Sequence, residues 1–228
     1  MKNLLLSTLL LILFSSNATC QNEIQTRDLE SWSTVSANKQ ITKVFGLNLE
    51  QSVRMYDNST KIDQYFTNLD LNFKVGKGFS LTGGFRFIGD RDKDDGSYEN
   101  HLRFNGDINY KHSVDRFKFK YRIRLQTKNE LAYSREEGDF LRNSFRIRAG
   151  VKYNIKGWKL DPEMSYELFR ESGKYMVSSF NKYRISLSTK YKFNKLIELK
   201  AFYRYERGLG SLLPQSTNIV GFNLMFNL

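Results

Sequence analysis

Between residues 117 and 125 the odd positions are Phe117, Phe119, Tyr121, Ile123 and Leu125, and between 116 and 128 the even positions are all polar and mostly cationic. Successive side chains of a β-strand point to opposite faces, so this alternation predicts a strand with one apolar and one charged face. The pattern recurs along the chain. Phe45, Leu47, Leu49 and Val53 oppose Asn48, Glu50, Ser52 and Arg54 in a strand starting at Ile41. Tyr65, Leu69, Leu71 and Phe73 oppose Asn68, Asp70 and Asn72, and Phe79, Leu81, Phe85 and Phe87 oppose Ser80, Thr82 and Arg86. Leu102, Phe104 and Ile108 alternate with Arg103, Asn105 and Asp107. Phe145, Ile147 and Val151 alternate with Arg146, Arg148 and Lys152; Met164, Tyr166 and Leu168, in a strand starting at Trp158, alternate with Glu163, Ser165 and Glu167. The last three strands carry Tyr183, Ile185 and Leu187, then Leu199, Ala201 and Tyr203, then Val220, Phe222, Leu224, Phe226 and Leu228 on their apolar faces. Pro162 cannot donate to a ladder and predicts a bulge or local edge in its strand.

This reading gives ten strands from 41 to 228. Most reach the length of about nine to eleven residues that a tilted strand needs to cross a bilayer. Connections alternate between short ones, at 76–78, 112–115, 154–157 and 194–195, and longer ones beginning at Asp57, Gly89, Asn129, Glu171 and Gly208. Bacterial barrels have short periplasmic turns and longer extracellular loops, so the last strand is expected to leave Leu228 in the periplasm. The expected fold is all-β: an antiparallel, up-and-down transmembrane β-barrel of about ten strands, with twelve as the alternative. A soluble β-sandwich also alternates, but its strands are shorter. Here aromatics such as Tyr65, Tyr110, Tyr153, Trp158, Tyr183 and Tyr191 also recur at strand ends, where an interfacial girdle belongs. Residues 29–37, with Trp32 and Val35, read as a short extra strand that plugs the lumen, lies in the periplasm or pairs with the final strand.

The first residues change the setting. Lys2, the apolar run Leu4 to Phe14, and the small residues Ala18 and Cys20 at the −3 and −1 places form a signal peptide, with cleavage before Gln21. The apolar run is too short for a transmembrane helix. Asn17-Ala18-Thr19 before Cys20 is a poor lipidation motif. The domain plan is therefore a signal peptide over 1–20, an N-terminal segment over 21–40 and the barrel over 41–228. The exported chain has no cysteine and no thiol chemistry. Loss of Lys2 takes the net charge from +12 to +11. In a cytosolic protein that charge would suggest nucleic acid; in an exported barrel it must serve a lumen, acidic lipid headgroups or an anionic solute, and no nucleic acid partner is expected.

The C-terminal run Val220, Phe222, Leu224, Phe226, Leu228 resembles the terminal signature by which the barrel-assembly machinery recognises outer-membrane proteins, with leucine in place of the usual final phenylalanine. Glu30-Ser31-Trp32, followed by Leu47-Asn48-Leu49-Glu50-Gln51-Ser52-Val53-Arg54, resembles the barrel family called domain of unknown function 2490, over 28–228. That resemblance implies an outer-membrane location, carries no activity and transfers no site.

Catalytic chemistry is thin. Outer-membrane phospholipase A and the lipid A deacylases use His-x-Ser on one strand face. Here His112-Ser113 is adjacent, and His101 is followed at the same face by Arg103. A rim hydrolase of omptin-like type would pair His101 with Asp92, Asp94, Asp95 or Glu99. Asp90, Asp92 and Asp94 have part of a calcium-loop spacing, but Gly96 is one place late and the twelfth position is His101, so they read as a weak cation site. The strongest feature is the lumen face. Lys118, Lys120, Arg122, Arg124, Arg142, Arg146 and Arg148 form a basic patch, beside an acidic strand carrying Asp161, Glu163 and Glu167. Such a patch either fills a narrow barrel with ion pairs or selects anions. The expectation is a monomeric outer-membrane barrel without catalytic activity, cofactor or metal, in contact with lipid and lipopolysaccharide and serving a structural or surface-interaction role. The alternatives are a narrow anion-preferring pore and, second, the rim hydrolase.

Overall fold

The computed structural model describes residues 27–92, 95–131, 141–172, 179–210 and 213–228. The expected signal peptide and its cleavage site, residues 1–20 and Gln21, lie outside the described residues, as does Asp94. Eleven strands form one closed barrel. They are β1 (Arg27–Gln40), β2 (Phe45–Tyr56), β3 (Lys61–Gly76), β4 (Phe79–Arg91), β5 (Tyr98–Val114) and β6 (Phe117–Glu130), then β7 (Arg142–Tyr153), β8 (Asp161–Ser172), β9 (Lys182–Lys192), β10 (Ile197–Gly208) and β11 (Ser216–Asn227). Neighbours in sequence pair antiparallel all the way round, and β1 closes the ring by pairing parallel with β11.

The all-β barrel expected from the alternation is thus the architecture found, with eleven strands where ten were read for the wall. The extra one is the 29–37 segment, extended to residues 27–40 and paired with the final strand, one of the places the sequence left open for it. Because β1 and β11 run the same way, Arg27 lies beside Ser216 at one rim and Asn38 beside Asn227 at the other. The described chain enters the wall at the rim of the longer loops and leaves it at the rim of the short turns.

The facing of side chains follows the predicted phase. Leu49, Leu71, Phe85, Phe104, Ile108, Ile123, Leu125, Leu187 and Phe222 are exposed on the outside. Ser52, Asn68, Arg86, Arg103, Asp107, Ser144, Glu167 and Ser186 are buried inside. Several boundaries moved. Strand β2 begins at Phe45 and not at Ile41, because the preceding turn is 41–44, where the Thr42 hydroxyl accepts from the Phe45 amide at 3.0 Å. The polar loop expected from Asp57 to Asp63 is only 57–60. Asp57, Asn58 and Ser59 all take positive φ there, and the Asp28 carboxylate receives the Asp57 and Asn58 amides at 3.2 and 2.9 Å. Trp158 and Leu160 belong to the turn before β8. Pairing between β7 and β8 stops at Glu163, so Pro162 sits at a local edge as its missing amide requires.

Two glycines are constrained by contact. Lys77-Gly78 forms a two-residue hairpin turn, as residues 115–116 do, with φ of 48° and 87°, the conformation that two-residue hairpins need. At the seam, Gly221 lies in register between Trp32 of β1 and Phe202 of β10. Its missing side chain lets those two rings meet edge to face at 6.3 Å. A Cβ there would come within 2.4 Å of both the Phe202 ring and the Trp32 carbonyl oxygen. Gly221→Ala is therefore expected to lower the unfolding free energy by about 1–3 kcal/mol through overpacking, read as a lower urea midpoint. Gly83→Ala, where nothing lies within 4 Å, should leave the midpoint in place; equal effects at the two sites would refute the packing account.

Candidate functional site

The inside of the barrel holds the chemistry, and its two halves differ. Toward the longer-loop rim the lumen is filled by Trp32, Phe66, Ile88, Phe169 and Ile219, all buried. Guanidinium groups lie against these rings. Arg54 stands 3.8 Å from the Trp32 centroid and 4.9 Å from that of Phe66, and Arg86 packs on Phe66 at 3.5 Å. Arg184 lies 5.4 Å from Trp32 and 4.9 Å from Phe169, and Arg146 is 4.3 Å from Phe169. Stacked cations and rings therefore run across the lumen from β3 through β1 to β7. A guanidinium is weakly hydrated and planar, so an aromatic face can replace part of its water.

Below this layer a central cavity of about 300 Å³ is lined by nine arginines and Lys200 against three carboxylates, Glu50, Asp70 and Glu167. Glu167 is the hub. Strand register puts it between Arg148 of β7 and Arg184 of β9. Its carboxylate is 2.6 Å from Arg122, 2.9 Å from Arg146 and 3.8 Å from Arg184. It is only 3% exposed. Asp107 takes both Nε and Nη2 of Arg124 at 2.7 and 2.6 Å, a bidentate pair. Glu206 receives the Arg184 Nε–H at 2.6 Å. Glu163 binds Lys120, with Arg148 at 3.8 Å, and Asp161 holds Lys152 at 3.0 Å.

The predicted basic patch is thus split by its surroundings. Lys120, Arg122, Arg124, Arg146 and Arg148 gather in the lumen and are matched by acids from β5 and β8. Lys118 is exposed beside the 115–116 turn, and Arg142 is exposed at the opposite end of the wall, as the first residue of β7. The cations that lack a carboxylate among the described residues are on other strands. Arg103 faces Arg86 on one neighbour and Lys128 on the other. Arg204 rests on Phe202 at 3.9 Å and Trp32 at 4.8 Å. Arg54 donates to Gln64 Oε1 at 3.2 Å.

Sequence reasoning put Phe202 on the polar phase of its strand beside Arg204 but missed two other inward rings. Phe66 and Phe169 fall on the polar phase of their strands, beside Asn68 and Glu167. That break in alternation was the available signal.

The rim candidates are less assembled. His101 is buried, with Nε2 at 3.3 Å from Glu99 and 3.9 Å from Asp90. Asp90, however, is engaged by Lys128 and receives the Gln64 amide at 3.0 Å. Asp92 lies in the turn after β4, where its amide donates to the Ser97 carbonyl at 2.9 Å. In the same turn Asp95 accepts from the Ser97 amide at 2.8 Å, and hydrogen bonding from Ser97 holds its pKa below the ordinary carboxylate value. No group of three or more metal-ligating side chains is brought together among the described residues. His112 points outward, in a stack with Tyr110, Phe119 and Tyr121.

Two further cavities continue the lumen. One of about 260 Å³ shares Arg122, Arg148 and Lys200 with the central cavity. It shares Gly78, Ser80 and Lys111 with another of about 560 Å³ that reaches the short-turn rim. The accessible lumen is therefore a cationic vestibule, open at the short turns and filled by rings toward the other rim.

A family model described as "Protein of unknown function (DUF2490)" matches residues 29–210. No curated protein matches the chain.

Glu167→Gln should destabilise the barrel by about 3–5 kcal/mol, because it leaves several buried guanidinium groups without their shared counter-charge. Lys61→Gln, which removes the exposed partner of Asp57, should leave the urea midpoint nearly where it is, because an exposed ion pair contributes little. Denaturant titration of both variants checks the contrast, and a Glu167 effect as small as that of Lys61 would contradict the hub assignment.

Proposed function

We propose, for a chain that belongs to the DUF2490 family, the role of an outer-membrane β-barrel without a catalytic step, whose lumen admits small anions from the short-turn side. The observation that carries this reading is the inside-out partition of the wall. Large apolar side chains stand on the outside of every part of the ring, while carboxylates and guanidinium groups are buried within it. Soluble proteins seldom expose contiguous apolar surface of more than a few hundred Å². A bilayer makes that surface favourable, and a closed ring leaves no unpaired strand edge to lipid.

The orientation follows from loop length: the short turns face the periplasm and the longer loops face outward, in contact with lipopolysaccharide. The alternating β11 sequence up to Leu228 supports recognition by the assembly machinery. The cationic lining supports small anions as solutes, in a barrel that acts as a monomer. The layer built on Trp32, Phe66 and Phe169 argues for a blind vestibule over a continuous pore. It also gives the barrel a self-filled upper half, in line with a structural or surface role. A rim hydrolase built on His101 and Glu99 has less support, because the nearby Asp90 is already engaged by Lys128.

Detergent-folded protein should migrate faster on an unboiled gel than after boiling, and the exported protein should fractionate with membranes. A soluble periplasmic protein with no heat-dependent mobility would sink the proposal. In planar bilayers the wild type should show no sustained channel. The double variant Trp32→Ala/Phe66→Ala should open one with an anion-preferring reversal potential; cation preference there would contradict the lumen assignment.

A further inference from the structure

We propose that the central cavity is a binding site for one small polyvalent oxyanion of the phosphate class, entering through the short-turn vestibule; this rests on the reading of the lumen given above. The cavity, of about 300 Å³, has room for such an ion with some of its water and none for a polymer. Its lining is far from neutral. Arg124 is satisfied by Asp107, and Arg122, Arg146 and Arg184 share Glu167. Arg54, Arg103, Arg204 and Lys200 have no carboxylate at ion-pair distance among the described residues.

Arg103 is the informative one. It is 8% exposed, and its Nε–H has no hydrogen-bond partner. The Nε–H groups of Arg54 and Arg122 are in the same condition, and both line the same cavity. A buried donor left without an acceptor is costly, and a buried charge more so. If these arginines merely filled the barrel, acids would be expected opposite them, as Asp107 is opposite Arg124. Register instead sets Arg103 opposite Arg86, which lines the same cavity, on one side and opposite Lys128, already held by Asp90, on the other. Like charges directly opposite each other repel, and a bound anion removes that repulsion.

The donor type selects the ligand. Guanidinium forks match the paired oxygens of phosphate and related oxyanions. A chloride ion offers a single charge and no such directional pairs. Access is one-sided. The cavities run from the centre to the short-turn rim, where Lys39, Lys74 and Lys111 line the mouth. Cationic walls of low dielectric concentrate anions in such a cleft.

The test uses the exported chain folded in neutral detergent, in chloride buffer at constant ionic strength, with inorganic pyrophosphate as the probe. Titration calorimetry should find one saturable site, and saturation should raise the thermal unfolding midpoint. Arg103→Gln should weaken binding at least tenfold, while its own midpoint in chloride equals or exceeds that of the wild type, since it loses an unmatched buried charge. Arg54→Gln supplies the same binding test should the first variant not fold. Lys61→Gln, at the opposite rim, should bind as the wild type does. Absence of saturable binding, an unchanged affinity in Arg103→Gln, or an equal response to added chloride overturns the proposal. Vesicles containing phosphatidic acid form a second arm. Displacement of pyrophosphate by that lipid would assign the site to a headgroup and overturn the free-ion source. A protein that shows the heat-dependent gel shift and yet binds no pyrophosphate loses this inference alone; one without the shift loses the membrane reading.

Discussion

Everything in this molecule depends on closing the ring. A strand at the edge of a sheet presents unpaired amides and carbonyls, and only a closed wall removes both edges at once. Ten of the eleven pairings are antiparallel neighbours joined by turns and loops. The eleventh, between β1 and β11, joins the ends of the described wall and runs parallel. Local turn chemistry cannot specify that seam. It is fixed by side chains that meet only in the folded state: Ser36 donates to Asn223 at 3.0 Å, and Trp32 and Phe202 meet over Gly221. The parallel seam also requires β1 to start at the rim where β11 starts.

Closure then creates the second problem, which is what to put inside. The outer face takes the apolar half of every strand, so the lumen receives the polar half. In a ring this small the polar side chains become buried. The chain handles its arginines in three ways. Some are matched with acids from neighbouring strands, as at Glu167 and Asp107. Some lie on aromatic rings that break the alternation, as at Phe66 and Phe169. Arg103 is left with neither. The acid-matched pairs stabilise a filled lumen. The arginines without a carboxylate, Arg103 together with the ring-stacked Arg54 and Arg204, give the lumen its net positive character.

The wall was largely legible in the sequence because strand alternation has a period of two and turns have strong residue preferences. Gly76-Lys77-Gly78 was readable as a hairpin, and the inward facing of Arg86, Arg103 and Arg124 followed from their phase alone. The count was less legible. Residues 29–37 carry alternation too weak to show which edge they join, and pairing with β11 spans nearly the whole chain. The site was legible only in part. Phase identifies which residues face inward, but not which of them meet, because strand tilt offsets residues around the ring. The basic run 118–128 therefore looked like free charge. Glu163 and Glu167, two strands away, neutralise much of it, while the unmatched cations come from β2, β5 and β10.

This distribution of charge bears on what kind of barrel the protein forms. A selective pore needs a continuous wet path with charge along it, weak enough at each step for ions to leave. Here the charge is concentrated at mid-height and the path ends against Trp32, Phe66 and Phe169. An anion that reaches the centre meets several guanidinium groups at once and has no exit ahead of it. Such an arrangement favours retention over passage, so the two readings of the cationic lumen differ in kinetics more than in composition. The aromatic layer decides between them. On the reading proposed above, the rings close one end of the lumen, so that the arginines would hold an anion; with the rings removed the same arginines would line a conduit.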